Sequence, residues 1–505
     1  MVPPSTTSAL TGSRPSLRLR LENFRLFRDS GWFKLAPLTC LVGRNSSGKS
    51  SVISSILLLK QSLEQQAMGA PPAPLALSGP YCDLGNYADV VHNHDESLEM
   101  VFSFSMSLSD LRGDASDRRT QLVDLALPRP QTIQRTYFSR WIDPKLLPKS
   151  GTVEASFVFS ADKRFGPSLS RFQIEVSALG SASFVRTVGL ERRQHWRVYT
   201  SSLPSQSLAL RTAVRSFFPV VDIRSASYKH SGPRTKHKIL GFLAAYQSVI
   251  RYLSDSVLWS DLIGPFRTPP TRRYAFGGFS ASRSGPTGEQ AVDLLITETL
   301  LRPPDRRPLH KAVSFWVKQL GLAQSLDVSD IAKRLNLFEV DVKGASRGTK
   351  ANLTDVGFGI SQVLPVLVQG LLMRRGGIYF VQQPEIHLHP DAQAGLADFF
   401  IYLASQGVIT VVETHSEYLL LRLRRRLAEG PNPIPSRLLA GREVSAPLTV
   451  NDVAVLLTSS DRKDAGVRQL EISDSFQFEN LPPGFMSQAL DDRVALLRAV
   501  GKRNA

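Results

Sequence analysis

The chain has 505 residues, enough for roughly two or three domains around a sizeable core. Sixty-one Lys and Arg against 44 Asp and Glu give a net charge of +17 and a pI near 10.0, which either attracts polyanions or serves general solubility. Cys40 and Cys82 allow at most one disulfide and are expected to be reduced, and neither a run of about 18 apolar residues nor an apolar signal core is found, so a cytoplasmic protein without a membrane span is expected.

Met1 to Pro15, rich in Ser, Thr and Pro, reads as a disordered leader. Leu17–Phe24 alternates as a half-buried strand, and Leu38–Val42 is an apolar run fit for a buried one. Gly43 to Ser50 then reads Gly-Arg-Asn-Ser-Ser-Gly-Lys-Ser, the full spacing of a phosphate-binding loop, and Ser51–Lys60 follows as a helix. Such a loop turns successive backbone N–H groups toward a triphosphate at the start of a helix. Gly43, Arg44, Asn45, Ser46, Ser47, Gly48, Lys49, Ser50 and Ser51 are the candidate nucleotide-binding residues. Lys49 would reach the β and γ phosphates, and Ser50 would ligate Mg²⁺.

After a Pro-rich stretch at Ala70–Pro74, residues 99 to 200 carry short alternating segments such as Thr152–Ser160 and Ser170–Val176. They predict a β-rich lobe that interrupts or extends the nucleotide domain. Helical periodicity returns over Ile239–Trp259 and Ala312–Gln324. Gly357, Gly359 and Ser361 lead into a helix expected from Gln362, either a second anion-binding helix start or a plain cap. Ile378–Val381 predicts a buried strand ending in Gln382, Gln383, Pro384 and Glu385, where a phosphate-loop protein holds its metal and polarises water. Val408–Val412 predicts another, ending in Glu413, Thr414, His415 and Ser416, with His415 able to reach a γ-phosphate. Gln382, Gln383, Glu413 and His415 are the candidate catalytic residues, and Ser50 and Gln382 the candidate metal positions.

These motifs, in this order, resemble the ABC-type ATPases of the RecF/SMC/OLD group, often filed as AAA-family. The resemblance is carried by Glu22–Phe24, Val42–Ser51, Leu84–His92, Ile263–Pro270, Thr354–Gln362, Gln383–Pro390 and Glu413–Tyr418, with a weaker match at Gly466–Met486. It implies an α/β fold: an ABC-type P-loop ATPase head with a β-rich insertion lobe and a small C-terminal domain. The expected division is a leader at 1–15, an N-terminal lobe at 16–95, an insertion at 96–254, a C-terminal lobe at 255–430 and the small domain at 431–505. The resemblance also implies ATP and Mg²⁺ as cofactors and a homodimer or higher oligomer closed through its ATP sites. Gly357, Gly359 and Ser361 of one subunit would contact the γ-phosphate held by the other, and His415 would be the switch histidine.

One departure bears on hydrolysis. The group usually has an acid at the position of Gln382 and Glu or Gln at the next, whereas both are amides here. An amide brings no negative charge and is a poor base. Either the protein hydrolyses ATP slowly or Gln382 is a trapping substitution, and Glu413 ranks above Glu385 as the carboxylate able to orient water. The group implies the ATPase or sensor subunit of a prokaryotic anti-phage defence or DNA-maintenance complex, working beside a separately encoded nuclease. The alternatives are a hydrolysis-poor ATP-gated scaffold, a RecF-like repair ATPase, or a self-sufficient OLD-type nuclease, for which Asp491 and Asp492 alone make a poor two-metal centre.

Basic clusters at Arg422, Arg424, Arg425 and Arg426, at Arg267, Arg272 and Arg273, and at Lys229, His230, Arg234, Lys236 and Lys238 could hold DNA by its backbone or be solvated faces and subunit contacts.

Overall fold

Leu38–Val42 is buried at all five positions and lies within a six-stranded sheet. The computed structural model describes residues 17–67, 75–112, 146–161, 167–177, 180–188, 194–200, 203–210, 233–278, 281–332, 335–344, 350–430, 448–460, 465–480 and 495. In spatial order this sheet runs Asp261–Ile263, Ile378–Gln382, Ile409–Glu413, Leu38–Val42, Val453–Ser459 and Gly466–Leu470. The first five are parallel, and only Gly466–Leu470 runs the other way. A parallel sheet is stable only with both faces covered, and the apolar runs read from the sequence answer that need.

Alternation along each strand divides the buried side chains between two cores. Leu41, Ile378, Phe380, Ile409, Val411, Ala454 and Leu456 join one cluster with Val52, Ile56 and Leu63 of the helix Lys49–Ala67. Cys40, Val42, Tyr379, Val381, Val412 and Val455 join the other, with side chains from helices Ala291–Leu301, Pro308–Gln319, Phe358–Leu372, Pro390–Ser405 and Glu417–Glu429. Each large apolar side chain so buried contributes about 1.5–3 kcal/mol relative to exposure.

The β-rich region is continuous with the N-terminal strand. Leu17–Phe24 pairs antiparallel with Met100–Ser107, Leu19 opposite Phe104 and Leu21 opposite Phe102, and the sheet extends through Thr152–Ser160 and Ser168–Val176 to Leu203–Leu210, nine strands in all. Phe102, Phe104, Phe157, Phe159 and Phe172 are fully buried, and Tyr246 of the helix Pro233–Leu258 packs edge-on against Phe172 at 5.3 Å. Aromatic pairs in such edge geometry add to the area they bury.

Within residues 431–505, Val453–Ser459 pairs in parallel with Leu38–Val42 and belongs to the central sheet. The leader, the Ala70–Pro74 stretch and Asp491–Asp492 lie outside the described residues. No described helix is long and apolar enough to cross a membrane.

Candidate functional site

The phosphate loop leaves the end of Leu38–Val42 and enters the helix Lys49–Ala67 at Lys49. Its two glycines are required by geometry. Gly43 has φ +145°, and a Cβ there would lie 2.7 Å from the Thr458 carbonyl and 2.8 Å from Ser47 Oγ. Gly48 has φ +103°, and its Cβ would lie 2.6 Å from the Phe27 ring. Ser46 takes φ +59° without being glycine, a local strain of the kind that collects at ligand sites. Ser47 is buried, its Oγ 2.5 Å from Thr458 Oγ1. The Lys49 ammonium donates to the Gly43 and Arg44 carbonyls at 3.0 and 2.8 Å. Burial lowers its pKa, and the nearby Glu413 carboxylate partly offsets that.

A cavity of about 690 Å³ lies over this loop. It is lined by Asn45 to Ser51 and Glu413, together with Arg25, Leu26, Asp89 and Val91 to His94. Its size is within the range of small-ligand sites. The glycine cradle, the loop amides and the buried ammonium fit the phosphates of a nucleotide, and exposed Ser50 offers a hydroxyl to a metal beside them.

The next two strand ends bring the remaining candidates together. Gln382 and Glu413 are direct Cα partners in the parallel register, and Gln382 Nε2 donates to Glu413 Oε2 at 2.7 Å. Glu413 is buried and lines the cavity. Gln383 takes φ +45°, and its N–H donates to the Glu413 carbonyl at 2.7 Å. Glu385 Oε1 accepts from the backbone N–H of His415 at 2.6 Å, which sets the turn that presents the His415 side chain to solvent. Arg267 is buried beneath this turn and donates to the Gln382 and Gln383 carbonyls at 2.8 and 3.2 Å. Burial pushes its guanidinium down to about 10.

Gly357, Gly359 and Ser361 stand apart from this cavity and line none of it. Gly357 caps the helix Phe358–Leu372, which begins one turn before the expected start at Gln362. Ser361 therefore lies inside the helix, buried, and its hydroxyl donates to the Phe358 carbonyl at 2.8 Å. Gly359 is small because the helix passes the Glu385–Pro390 segment closely: a Cβ there would lie 3.2 Å from the His387 carbonyl and from Leu388. Phe358 is exposed and its ring sits 6.1 Å from that of His387, so the signature segment and the turn after Gln383 share one surface.

Residues 38–422, more than half of the chain, match the family described as "AAA domain, putative AbiEii toxin, Type IV TA system". The chain belongs to this AAA family. It is a P-loop ATPase by class, with the α/β head expected from its motifs. Among solved structures the chain is similar to an Smc head bound to the C-winged helix domain of ScpA, at 11% identity over 91% of this chain and 98% of that one, TM-score 0.39. It is also similar to an Smc head domain with an extended coiled coil bound to the C-terminal domain of ScpA derived from Pyrococcus furiosus, at 9% identity over 96% and 98%, TM-score 0.36. A third is the SMC head domain from Thermotoga maritima, at 8% identity over 90% and 98%, TM-score 0.31. No curated protein matches the chain.

In this AAA-family head the two describable basic clusters are committed internally. Arg422 and Arg426 both bind Asp398, at 2.8 and 2.7 Å, Arg425 binds Glu429, and Arg424 donates to the Phe476 carbonyl. Arg272 pairs with Asp355 and Arg273 with Glu339. Lys229 and His230 lie outside the described residues, and of Arg234, Lys236 and Lys238 only the helical backbone is described. Cys40 and Cys82 are both free thiols, pushed up to about 12 by burial.

Sequence reasoning assigns no role to Arg25, Leu26, Asp89 or His92 to His94, although Leu84–His92 is among the segments that carry the resemblance. His92 and His94 are anchored by their Nδ1 atoms to the Arg25 and Ala88 carbonyls, and Asn93 and His94 take positive φ. Nothing local marks Thr458, which reaches the loop only through the parallel pairing of its strand.

Proposed function

We propose that the chain binds Mg·ATP in the cavity over Gly43–Ser51 and uses it to close two copies against each other. The observation that carries this reading is a separation. The loop, Lys49 and Glu413 line one cavity, whereas Gly357, exposed Phe358 and Gly359 lie on another surface with His387 and contribute nothing to it. A Cβ at Gly357 would meet no atom within 4 Å, so this backbone is open to a phosphate carried by a second subunit. In the closed state Gly357 and Gly359 would meet the γ-phosphate, with Ser361 buried behind them in the helix and supporting that start from within, Ser50 would hold Mg²⁺ and His415 would follow the phosphate. ATP favours the closed pair by its differential contacts there, and hydrolysis releases it. We place this switch in the ATPase or sensor subunit of a prokaryotic anti-phage or DNA-maintenance complex with a separate nuclease, a role that rests on family analogy.

A second reading is a scaffold that binds ATP and barely turns it over. It is favoured by the amides at Gln382 and Gln383, neither of which is a base. Titration with a fluorescent ATP analogue, together with light-scattering mass with and without ATP, tests the shared core of both readings. Binding that is lost in Lys49→Ala, with ATP-dependent doubling of mass, is the expected result. A constant mass at saturating ATP removes the dimer switch. Turnover in the closed pair then separates a working ATPase from a scaffold.

A further inference from the structure

We infer that the negative charge this site offers to a triphosphate-bound Mg²⁺ has moved one strand over, from position 382 to Glu413, with Gln382 as its positioning partner. The inference rests on the Mg·ATP reading of the cavity. A divalent ion in a phosphate-loop site takes the loop Ser hydroxyl and phosphate oxygens, and needs a carboxylate at a neighbouring strand end. Gln382 supplies no charge.

Among the described residues, two carboxylates line the cavity, Asp89 and Glu413. Asp89 is committed elsewhere: its Oδ2 accepts the Asn86 N–H at 2.9 Å in a capping box. Glu385 lies outside the lining and holds the His415 N–H. Glu413 is 6% exposed, lines the cavity together with Lys49 and Ser50, and ends the strand beside Leu38–Val42.

The Gln382 amide explains why the pair is arranged this way. Its Nε2–H donates to Glu413 Oε2 at 2.7 Å, which fixes the carboxylate and leaves Oε1 for a metal-bound water. Because the two residues are Cα partners, their side chains reach the same place from adjacent strands. An acid at both positions would set two like charges within one hydrogen bond. An acid at 413 with an amide at 382 keeps one charge and one donor.

The reciprocal arrangement provides the test. Mn²⁺ titrated into each protein with ATP, read by electron paramagnetic resonance, gives the metal affinity of the ternary complex without any turnover. Nucleotide affinity in EDTA is measured alongside. Glu413→Gln is expected to weaken Mn²⁺ about 10- to 100-fold, the usual loss when such a supporting group is removed. The exchange Gln382→Glu/Glu413→Gln should recover most of that loss, while Gln382→Glu alone should gain little. Undiminished Mn²⁺ affinity in Glu413→Gln overturns the inference. So does a large gain in Gln382→Glu that survives Glu413→Gln, because the acid's place would then be 382. Wild-type protein that fails to bind ATP even in EDTA would instead remove the nucleotide reading, and this inference with it.

Discussion

The hydroxyls of Ser47 and Thr458 lie 2.5 Å apart and buried, although 411 residues separate them in the chain. One is in the phosphate loop and the other in the strand that pairs with Leu38–Val42 on the side away from Ile409–Glu413. The loop's shape thus depends on a segment close to the end of the described chain. Thr458→Val keeps the volume, removes the hydroxyl, and leaves Ser47 Oγ buried without this partner. The expected cost is about 1–3 kcal/mol in urea unfolding, with weaker ATP-analogue binding. Thr458→Ser, which keeps the hydroxyl, should restore the affinity.

Gly43 makes a sharper test of the cradle. Alanine there must adopt φ near +145° and push its Cβ into the Thr458 carbonyl, which is backbone and cannot yield as a side chain would. Backbone strain of this kind costs about 1–3 kcal/mol, before any distortion of the loop. Gly43→Ala should abolish the ATP-dependent rise in melting temperature. Gly321→Ala, at φ +70° with nothing within 4 Å, should retain it.

How much of this is legible in the sequence follows from the range of each signal. The phosphate loop, Leu17–Phe24, Leu38–Val42 and Thr152–Ser160 are readable because each depends on a few consecutive residues, and the strands appear at those bounds. The helix start at Phe358 escapes such a reading because Gly357 and Gly359 look like loop. Gly357 is a cap, and Gly359 sits within the helix to clear His387. The pairing of Gln382 with Glu413 depends on register between strands joined by the helix Pro390–Ser405, which neither motif encodes. The arginine run reads as a basic patch because Asp398, which pairs with Arg422 and Arg426, belongs to a different helix.

Lys60 gives a pH prediction with a definite sign. It is fully buried on the phosphate-loop helix, donates to the Ser260 carbonyl and to Asp261 Oδ1, and sits 4.2 Å from the Tyr81 ring centre. Arg283 and Glu64 also face it, and burial pushes its pKa down to about 8. Below that pH it is charged in both folded and unfolded chains. Between about 8 and the ordinary 10.5, the unfolded chain binds a proton that the folded one has lost, so this residue's contribution to stability rises with pH. Urea unfolding at pH 7.5, 9 and 10 should show that rise in wild type relative to Lys60→Met. A constant difference between the two proteins would mean that Asp261 holds the ammonium charged throughout.

Asp398 decides what the arginine helix is for. Its carboxylate is 16% exposed and accepts from both Arg422 and Arg426, tying the helix Pro390–Ser405 to Glu417–Glu429. Pairs this shielded are worth more than open surface pairs, whose median contribution is below about 1 kcal/mol. Asp398→Ala leaves two partly buried guanidinium groups without this anion and should destabilise the chain by about 1–3 kcal/mol. If the helix is structural, Arg422→Ala/Arg426→Ala should lower stability but leave the salt dependence of any DNA binding unchanged. If it instead grips the DNA backbone, the same double variant should reduce the slope of log affinity against log salt by up to about 2, roughly one unit for each phosphate no longer neutralised. Fluorescence anisotropy of a labelled duplex across a salt series, paired with urea unfolding, distinguishes the two roles on the same pair of proteins.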